Sequence, residues 1–159
     1  MDKNTYINIL SDTLVKKISI IDSLIDITLK QEEYLDQTPP DIDGFEQSLP
    51  EKGKLIDLLN QLDEGFERIY DYVSEEISKN KLQHKEQIVY LQTLIKQVTE
   101  KSAKLQTSEI RNKGKIEIYF SGIKTEIRTF KKSSQSASSY YRNMANQYQG
   151  ESVFLDKKK

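Results

Sequence analysis

Apolar residues recur every three to four positions along three long segments of the chain, a spacing typical of amphipathic α-helices. It predicts a first helix over about Asn4–Gln37, a second over about Glu51–Ser78 and a third over about Lys85–Lys132. The apolar stripe of the first helix is wide, because further aliphatic residues flank its central seam. A stripe of this width requires contact with more than one neighbouring helix.

The seams of the second and third helices keep one phase over many turns, as in helices that pack along their whole length. We therefore predict an all-α fold: an antiparallel bundle or coiled coil of three long helices plus a short connecting helix, with a flexible C-terminal tail. The second seam consists of Leu55, Leu59, Leu62, Phe66, Ile69, Val73 and Ile77. The third consists of Ile88, Leu91, Ile95, Val98, Ser102, Leu105, Glu109, Asn112, Ile116, Tyr119, Ile123, Ile127 and Phe130.

Two polar stretches separate the predicted helices. The segment "TPPDIDG" ends the first helix, because two prolines cannot continue it and Gly44 adds conformational freedom. The next stretch, "DIDGFEQSL", predicts a short connecting helix of a turn or two. Ser48 and Glu51 have the spacing of a capping box, with Pro50 in the first turn, so the second long helix is expected to begin there. The stretch "SKNKLQH" predicts a polar turn before the third helix.

The third segment contains one glycine and three polar seam positions. The apolar phase continues across Gly114, which favours one continuous helix; a break at "RNKG", followed by a fourth helix, is the alternative. Ser102, Glu109 and Asn112 interrupt the seam. They are interpreted as fixing the register, because a polar residue in a seam penalises other alignments. The alternatives are that they form a polar spot in a groove for a partner, or that Glu109 faces outward.

The third predicted helix is longer than the other two. At 1.5 Å per residue the three helices measure roughly 50 Å, roughly 42 Å and roughly 72 Å. The last part of the third helix is then expected to lack intramolecular cover, and an uncovered apolar helix face is typical of a partner-binding surface. The apolar residues of this part are Ile116, Tyr119, Phe120, Ile123, Ile127 and Phe130.

The C-terminal part of the chain is basic and rich in aromatic residues. Residues 131–159 contain six basic and two acidic residues, whereas the other 130 residues contain 18 basic and 23 acidic residues. We divide the chain into a helical bundle domain, 1–132, and a flexible partner-binding tail, 133–159. A short amphipathic helix that folds on binding is one interpretation of the tail; docking on its own bundle, or a linker role, are the others. The candidate binding residues of the tail are Tyr140, Tyr141, Tyr148, Phe154 and Leu155.

Residues suited to catalysis or metal binding are scarce. The chain has no cysteine, and the one histidine, His84, lies in a polar turn and is expected to be a solvated surface residue. We therefore expect no enzymatic activity, no cofactor and no metal. The basic residues are too sparse for a nucleic-acid site. No signal-peptide pattern or long apolar run is present, so we expect a cytoplasmic protein without direct membrane insertion.

Two stretches carry a resemblance to a known family. "EKGKLIDLLNQLDEGFERIYDYV", residues Glu51–Val73, resembles the hairpin helix of FlgN-type flagellar export chaperones, with a lysine near the helix start, then "LI", "LD-GF" and a tyrosine before an aliphatic residue. The ending "YQGESVFLDKKK" is similar to tails of that family. The resemblance extends over essentially the whole chain.

The resemblance implies a non-enzymatic cytoplasmic chaperone of the flagellar type III export apparatus. It would bind hook–filament junction subunits, prevent their premature assembly and deliver them to the export gate, a membrane protein with a cytoplasmic domain. The substrate face would consist of Ile116, Tyr119, Phe120, Ile123, Ile127 and Phe130. The tail tyrosine that docks at the gate would be Tyr141 or Tyr148. A self-associating structural coiled coil, a filament-cap-type chaperone and a weak homodimer remain alternatives.

Overall fold

The computed structural model describes residues 2–122, which form three long α-helices and no strand. Helix α1 spans Lys3–Leu35, α2 spans Ile42–Lys79 and α3 spans Lys85–Gly122. The all-helical prediction is therefore confirmed for this part of the chain. Within residues 2–122, none of the helices has an apolar stretch long enough to cross a membrane.

Helix α2 begins nine residues before the predicted start, and this corrects two predictions. The Asp41 carboxylate caps α2 by accepting a hydrogen bond from the Gly44 backbone N–H at 2.9 Å. Ser48 is not the N-cap, because it lies inside α2 and its hydroxyl donates to the Phe45 carbonyl oxygen. Residues 42–49 therefore form the first turns of α2 rather than a separate connecting helix. Pro50 lies inside α2.

Packing on both sides of Pro50 explains why the helix continues through it. A proline removes one backbone hydrogen bond and crowds the preceding turn. Phe45 before the proline and Ile56 after it are both buried, so both parts of α2 gain apolar contacts. Gly44 also allows a close approach, since a Cβ atom there would lie 2.9 Å from the Tyr34 ring.

Side-chain pairs define the directions of the helices. Along α1, the partners on α2 have falling residue numbers, so α1 and α2 run in opposite directions. The partners on α3 rise in number with a constant separation of 79 residues, so α1 and α3 run in the same direction. The α1–α2 pairs are Lys3–Tyr72, Lys17–Asp63 and Gln31–Ser48. The α1–α3 pairs are Asn8–Gln87, Asp22–Lys101, Glu32–Arg111 and Asp36–Lys115.

Helix α3 is continuous across Gly114 as far as Gly122, so the alternative break at "RNKG" is wrong. An added Cβ atom at Gly114 would meet no atom within 4 Å, which means that no close backbone contact requires a glycine there. The glycine lowers helix propensity by about 1 kcal/mol relative to alanine. Burial of Asn112 and Ile116 on either side holds the helix together. The predicted continuation to Lys132 lies outside the described residues.

The interior of the described residues contains two apolar clusters of unequal size. The large cluster contains fifteen buried residues and draws on all three helices. The small cluster, which we call the distal cluster, contains Leu35, Phe45 and Ile116. Tyr34, Ile42, Leu49 and Phe120 are half-buried and pack against it.

Candidate functional site

A layer of buried polar side chains separates the large cluster from the distal cluster. On α1, Thr28 and Gln31 lie between Ile25 of the large cluster and Leu35 of the distal cluster. On α2, Lys52 lies between Ile56 and Phe45 in the same way. On α3, Ser108, Glu109 and Asn112 lie between Leu105 and Ile116. We call these six residues the polar layer: Thr28, Gln31, Lys52, Ser108, Glu109 and Asn112.

Hydrogen bonds and an ion pair connect the polar layer across all three helices. The Lys52 ammonium donates to Gln31 Oε1 at 2.6 Å and forms an ion pair with the Glu109 carboxylate. The Thr28 hydroxyl donates to Glu109 Oε1 at 2.8 Å. Gln31 Nε2 in turn donates to the Ser48 hydroxyl at 2.7 Å. A buried charge is tolerated when it is paired and hydrogen-bonded in this way.

Burial controls the electrostatics of Lys52. Its side chain is 0% exposed, and this desolvation lowers the pKa of the ammonium to about 8, although the Glu109 carboxylate acts in the opposite direction. A second lysine that is buried within residues 2–122, Lys17, pairs with the half-exposed Asp63, and burial likewise lowers the pKa of Lys17. Lys17 joins α1 to α2 from inside, and Lys52 joins α2 to both α1 and α3.

The polar seam positions of α3 therefore have partners within the chain. Glu109 is only 3% exposed, so the alternative that it faces outward is wrong. Asn112 is also buried, and its Nδ2 donates to the Thr28 carbonyl oxygen at 3.0 Å. Neither residue forms a polar spot in an open groove. Ser102 is half-buried. The pairing of these side chains with specific atoms of α1 and α2 agrees with the register interpretation.

Ile116 was predicted to lack intramolecular cover, and the structure corrects this. It is buried in the distal cluster with Phe45 of α2 and Leu35 of α1. The cover comes from the early start of α2, which adds nine residues, or about 13 Å of helix, beside the end of α3. The uncovered part of α3 thus does not begin at Ile116, as the predicted helix lengths had implied.

Two more residues of the predicted substrate face lie within the described part of the chain. Phe120 is half-buried and packs against the distal cluster. Tyr119 is half-buried, with its ring centroid 5.9 Å from that of Phe120 in an edge arrangement. Ile118, which precedes these two aromatic residues in α3, is 74% exposed. The end of described α3 therefore presents aromatic and aliphatic surface next to a small, partly open cluster.

The remaining predicted site residues lie outside the described residues. They are Ile123, Ile127 and Phe130 of the substrate face and Tyr140, Tyr141, Tyr148, Phe154 and Leu155 of the tail. The structure therefore brings together only Ile116, Tyr119 and Phe120, and their binding role stays a prediction.

His84 is not the solvated surface residue that its polar neighbours suggested. It is 3% exposed, and its ring nitrogens contact Glu76 Oε2 at 3.0 Å and Gln87 Oε1 at 3.2 Å. The His84 hydrogen bond, helped by one from Asn80, lowers the pKa of the Glu76 carboxyl below its usual value. His84 thus joins the end of α2 to the start of α3. Within residues 2–122, no group of three or more histidine, aspartate or glutamate side chains is arranged to hold a metal ion.

Comparison with known proteins gives one match. A family model described as "FlgN protein" matches residues 1–148. The match includes both apolar clusters, the polar layer and the three predicted tail tyrosines. No curated protein and no solved structure matches the chain.

Proposed function

Because the chain belongs to the FlgN family of flagellar export chaperones, we propose that it is a cytoplasmic chaperone for the hook–filament junction subunits. It binds these junction subunits, keeps their terminal helices from assembling prematurely and delivers them to the export gate. It does so without catalysing a reaction. The observation that carries the proposal is the family match, which extends over nearly the whole chain.

The proposed division of labour follows the two parts of the chain. Residues 1–132 form a self-sufficient helical bundle whose substrate face lies near the end of α3. Residues 133–159 form the tail that docks at the cytoplasmic domain of the export gate. The surface at Ile118, Tyr119 and Phe120 supports this division, because flagellar subunits pair through amphipathic helices and such helices bind apolar grooves.

A binding experiment with matched variants tests the proposal. We expect the purified full-length chain to form a one-to-one complex with a junction subunit in sedimentation experiments. Phe120→Asp should weaken this complex at least about tenfold, since a charge would have to enter an apolar contact. Val89→Asp is the control, because Val89 is an exposed aliphatic residue near the other end of α3. Equal affinities for the two variants would move the substrate face elsewhere.

A self-associating structural protein is the second candidate, and one observation favours it. Ile110 and Ile118 are 63% and 74% exposed and lie two turns apart on α3, with Gly114 between them. An added Cβ atom at Gly114 would meet nothing within 4 Å, so another helix could approach this face closely. A tight dimer that Ile110→Asp dissociates, together with no binding to junction subunits, would favour this candidate. Preferential binding of the filament-cap subunit would instead indicate a cap-type chaperone.

A further inference from the structure

The first turns of α2 share the distal cluster with Ile116 and Phe120, two of the residues to which the proposed function assigns subunit binding. We call residues 42–49 the α2 cover. Phe45 is buried with Ile116 in the distal cluster, and Ile42, Leu49 and Phe120 each pack against the same cluster. The α2 cover therefore occupies apolar surface that a helix from a junction subunit would need.

Pro50 marks the end of the α2 cover. It has no backbone N–H, so the carbonyl group of Glu46 receives no helical hydrogen bond from position 50. Sharp bends in helices occur at such positions. Two residues further on, Lys52 holds α2 to Gln31 of α1 and to Glu109 of α3. A movement that begins at Pro50 can thus displace residues 42–49 while the rest of α2 stays in place.

The polar layer makes the distal cluster a separate unit of packing. Within the described residues, the large cluster contains fifteen buried residues, and the distal cluster contains three. Few buried apolar contacts give a low free energy of local opening. Because Thr28, Gln31, Lys52 and Glu109 lie between the clusters, opening the distal cluster leaves the apolar contacts of the large one intact.

We propose that the α2 cover is a displaceable lid over the substrate face. It closes on Ile116 and Phe120 in the free chaperone and swings away about Pro50 when an amphipathic helix of a junction subunit takes the place of Phe45. This inference rests on the proposed function and concerns how access of the subunit to the substrate face is regulated. The lid protects the apolar surface of the empty chaperone, and its closing competes with the subunit. The subunit binds only when the lid is open, so the affinity of the chaperone for the subunit falls in proportion to the open fraction. This lower affinity assists release at the gate.

Amide hydrogen exchange, measured with and without a bound junction subunit, tests the lid. The exchange rates on the two sides of the distal cluster should change in opposite directions. We expect amide exchange to become faster in residues 42–49, which are displaced, and slower in residues 112–122, which the subunit helix covers. Exchange in residues 56–73 should stay unchanged, because that part of α2 packs in the large cluster. Slower exchange in both 42–49 and 112–122 would overturn the lid and leave the proposed function standing.

A variant with half of the polar layer replaced tests the lid in the absence of any subunit. Gln31→Leu, Lys52→Met and Glu109→Leu together replace the buried ion pair and the amide bonded to it by apolar side chains between the two clusters. In this variant the Thr28 hydroxyl can donate to the Leu24 carbonyl oxygen instead of to Glu109, and the Ser48 hydroxyl keeps its acceptor, the Phe45 carbonyl oxygen. Replacing buried ion pairs by apolar residues is often stabilising, so exchange in residues 42–49 should slow about tenfold. Junction-subunit affinity should fall by the same factor.

The matched control replaces the other buried lysine pair. Lys17→Met with Asp63→Leu removes a buried lysine and its carboxylate partner at a site away from the distal cluster. Exchange in residues 42–49 should match that of the unmodified chain. Far-UV circular dichroism shows whether each variant folds. If the triple variant folds and its exchange in 42–49 does not slow, the lid is overturned, whether or not the chain binds junction subunits.

Discussion

At the scale of single residues, Lys52 and Glu109 form a charged pair in the middle of three helices. Glu109→Ala leaves the Lys52 ammonium buried without a carboxylate, and we expect a loss of about 3–5 kcal/mol in the free energy of unfolding. Urea denaturation of the full-length chain measures this. Glu75→Ala is the control: it also removes the carboxylate partner of a lysine, Lys79, but both side chains are exposed. It should cost less than about 0.5 kcal/mol. Equal losses would mean that the buried pair contributes nothing beyond an exposed one.

The lowered pKa of Lys52 predicts a dependence of stability on pH. In the folded chain the pKa is about 8, against an ordinary value of 10.5. Between these values the unfolded chain binds more protons at this site than the folded chain. The contribution of Lys52 to the free energy of unfolding therefore rises with pH, by at most about 1.4 kcal/mol per pH unit. Below about pH 8 both states hold the proton, and the contribution is constant.

Comparison with Lys52→Met isolates this effect from other titrating groups. The free energy of unfolding of the unmodified chain minus that of the variant should rise from about pH 8 to about pH 10. Urea titrations at several pH values give the difference. A difference that stays flat or falls over this range would contradict the lowered pKa.

Burial of single polar residues was the part of the structure least accessible from sequence. Lys52 and His84 stand among charged and polar neighbours, as surface residues do. Their burial depends on partners that are far away in the chain, such as Glu109 for Lys52. Glu109 itself could be placed on the seam of its helix by periodicity, but periodicity does not identify which residue of another helix meets it.

At the scale of helices, the existence of the three helices was predictable and one boundary was not. Long runs of three-and-four spacing located all three helices, and the start of α3 at Lys85 agrees with the prediction. The early start of α2 was missed, because Ser48, Pro50 and Glu51 have the spacing of a helix start. Asp41 and Gly44 provide an equally good start, and burial of Phe45 selects it. This single boundary also removed the expected exposure of Ile116.

Pro50 gives a test at the same scale. Pro50→Ala restores a backbone N–H that can donate to the Glu46 carbonyl oxygen, and alanine favours a helix interior by about 3 kcal/mol over proline. Alanine also leaves the unfolded chain more flexible than proline does, which offsets part of this gain. We therefore expect a net increase of about 1–2 kcal/mol in the free energy of unfolding. Pro40→Ala, outside the helices, should give no gain. Exchange in residues 42–49 should slow in Pro50→Ala alone; unchanged stability and exchange would show that Pro50 does not weaken α2.

At the scale of the whole molecule, both apolar clusters lie in the described residues, and we propose that the tail docks at the gate. The two clusters of the described residues, with the side chains packed against them, draw on positions between Tyr6 and Phe120. Deleting residues 133–159 should therefore leave the urea midpoint and the helical circular dichroism nearly unchanged. Residues 131–159 hold six basic and two acidic residues, and their aromatic side chains supply the apolar contacts of a short recognition segment.

The same deletion should abolish binding to the cytoplasmic domain of the export gate while junction-subunit binding persists. A full-length variant with Tyr140, Tyr141 and Tyr148 all changed to Ser separates the tyrosine rings from the length and charge of the tail. We expect this variant to lose gate binding as the deletion does, because the positive charge of the basic residues alone gives only a weak attraction that salt screens. Binding to the gate domain at low and high salt measures both contributions. If the tyrosine variant binds as well as the unmodified chain, the basic residues carry the docking. If the deletion unfolds the chain, the tail belongs to the core.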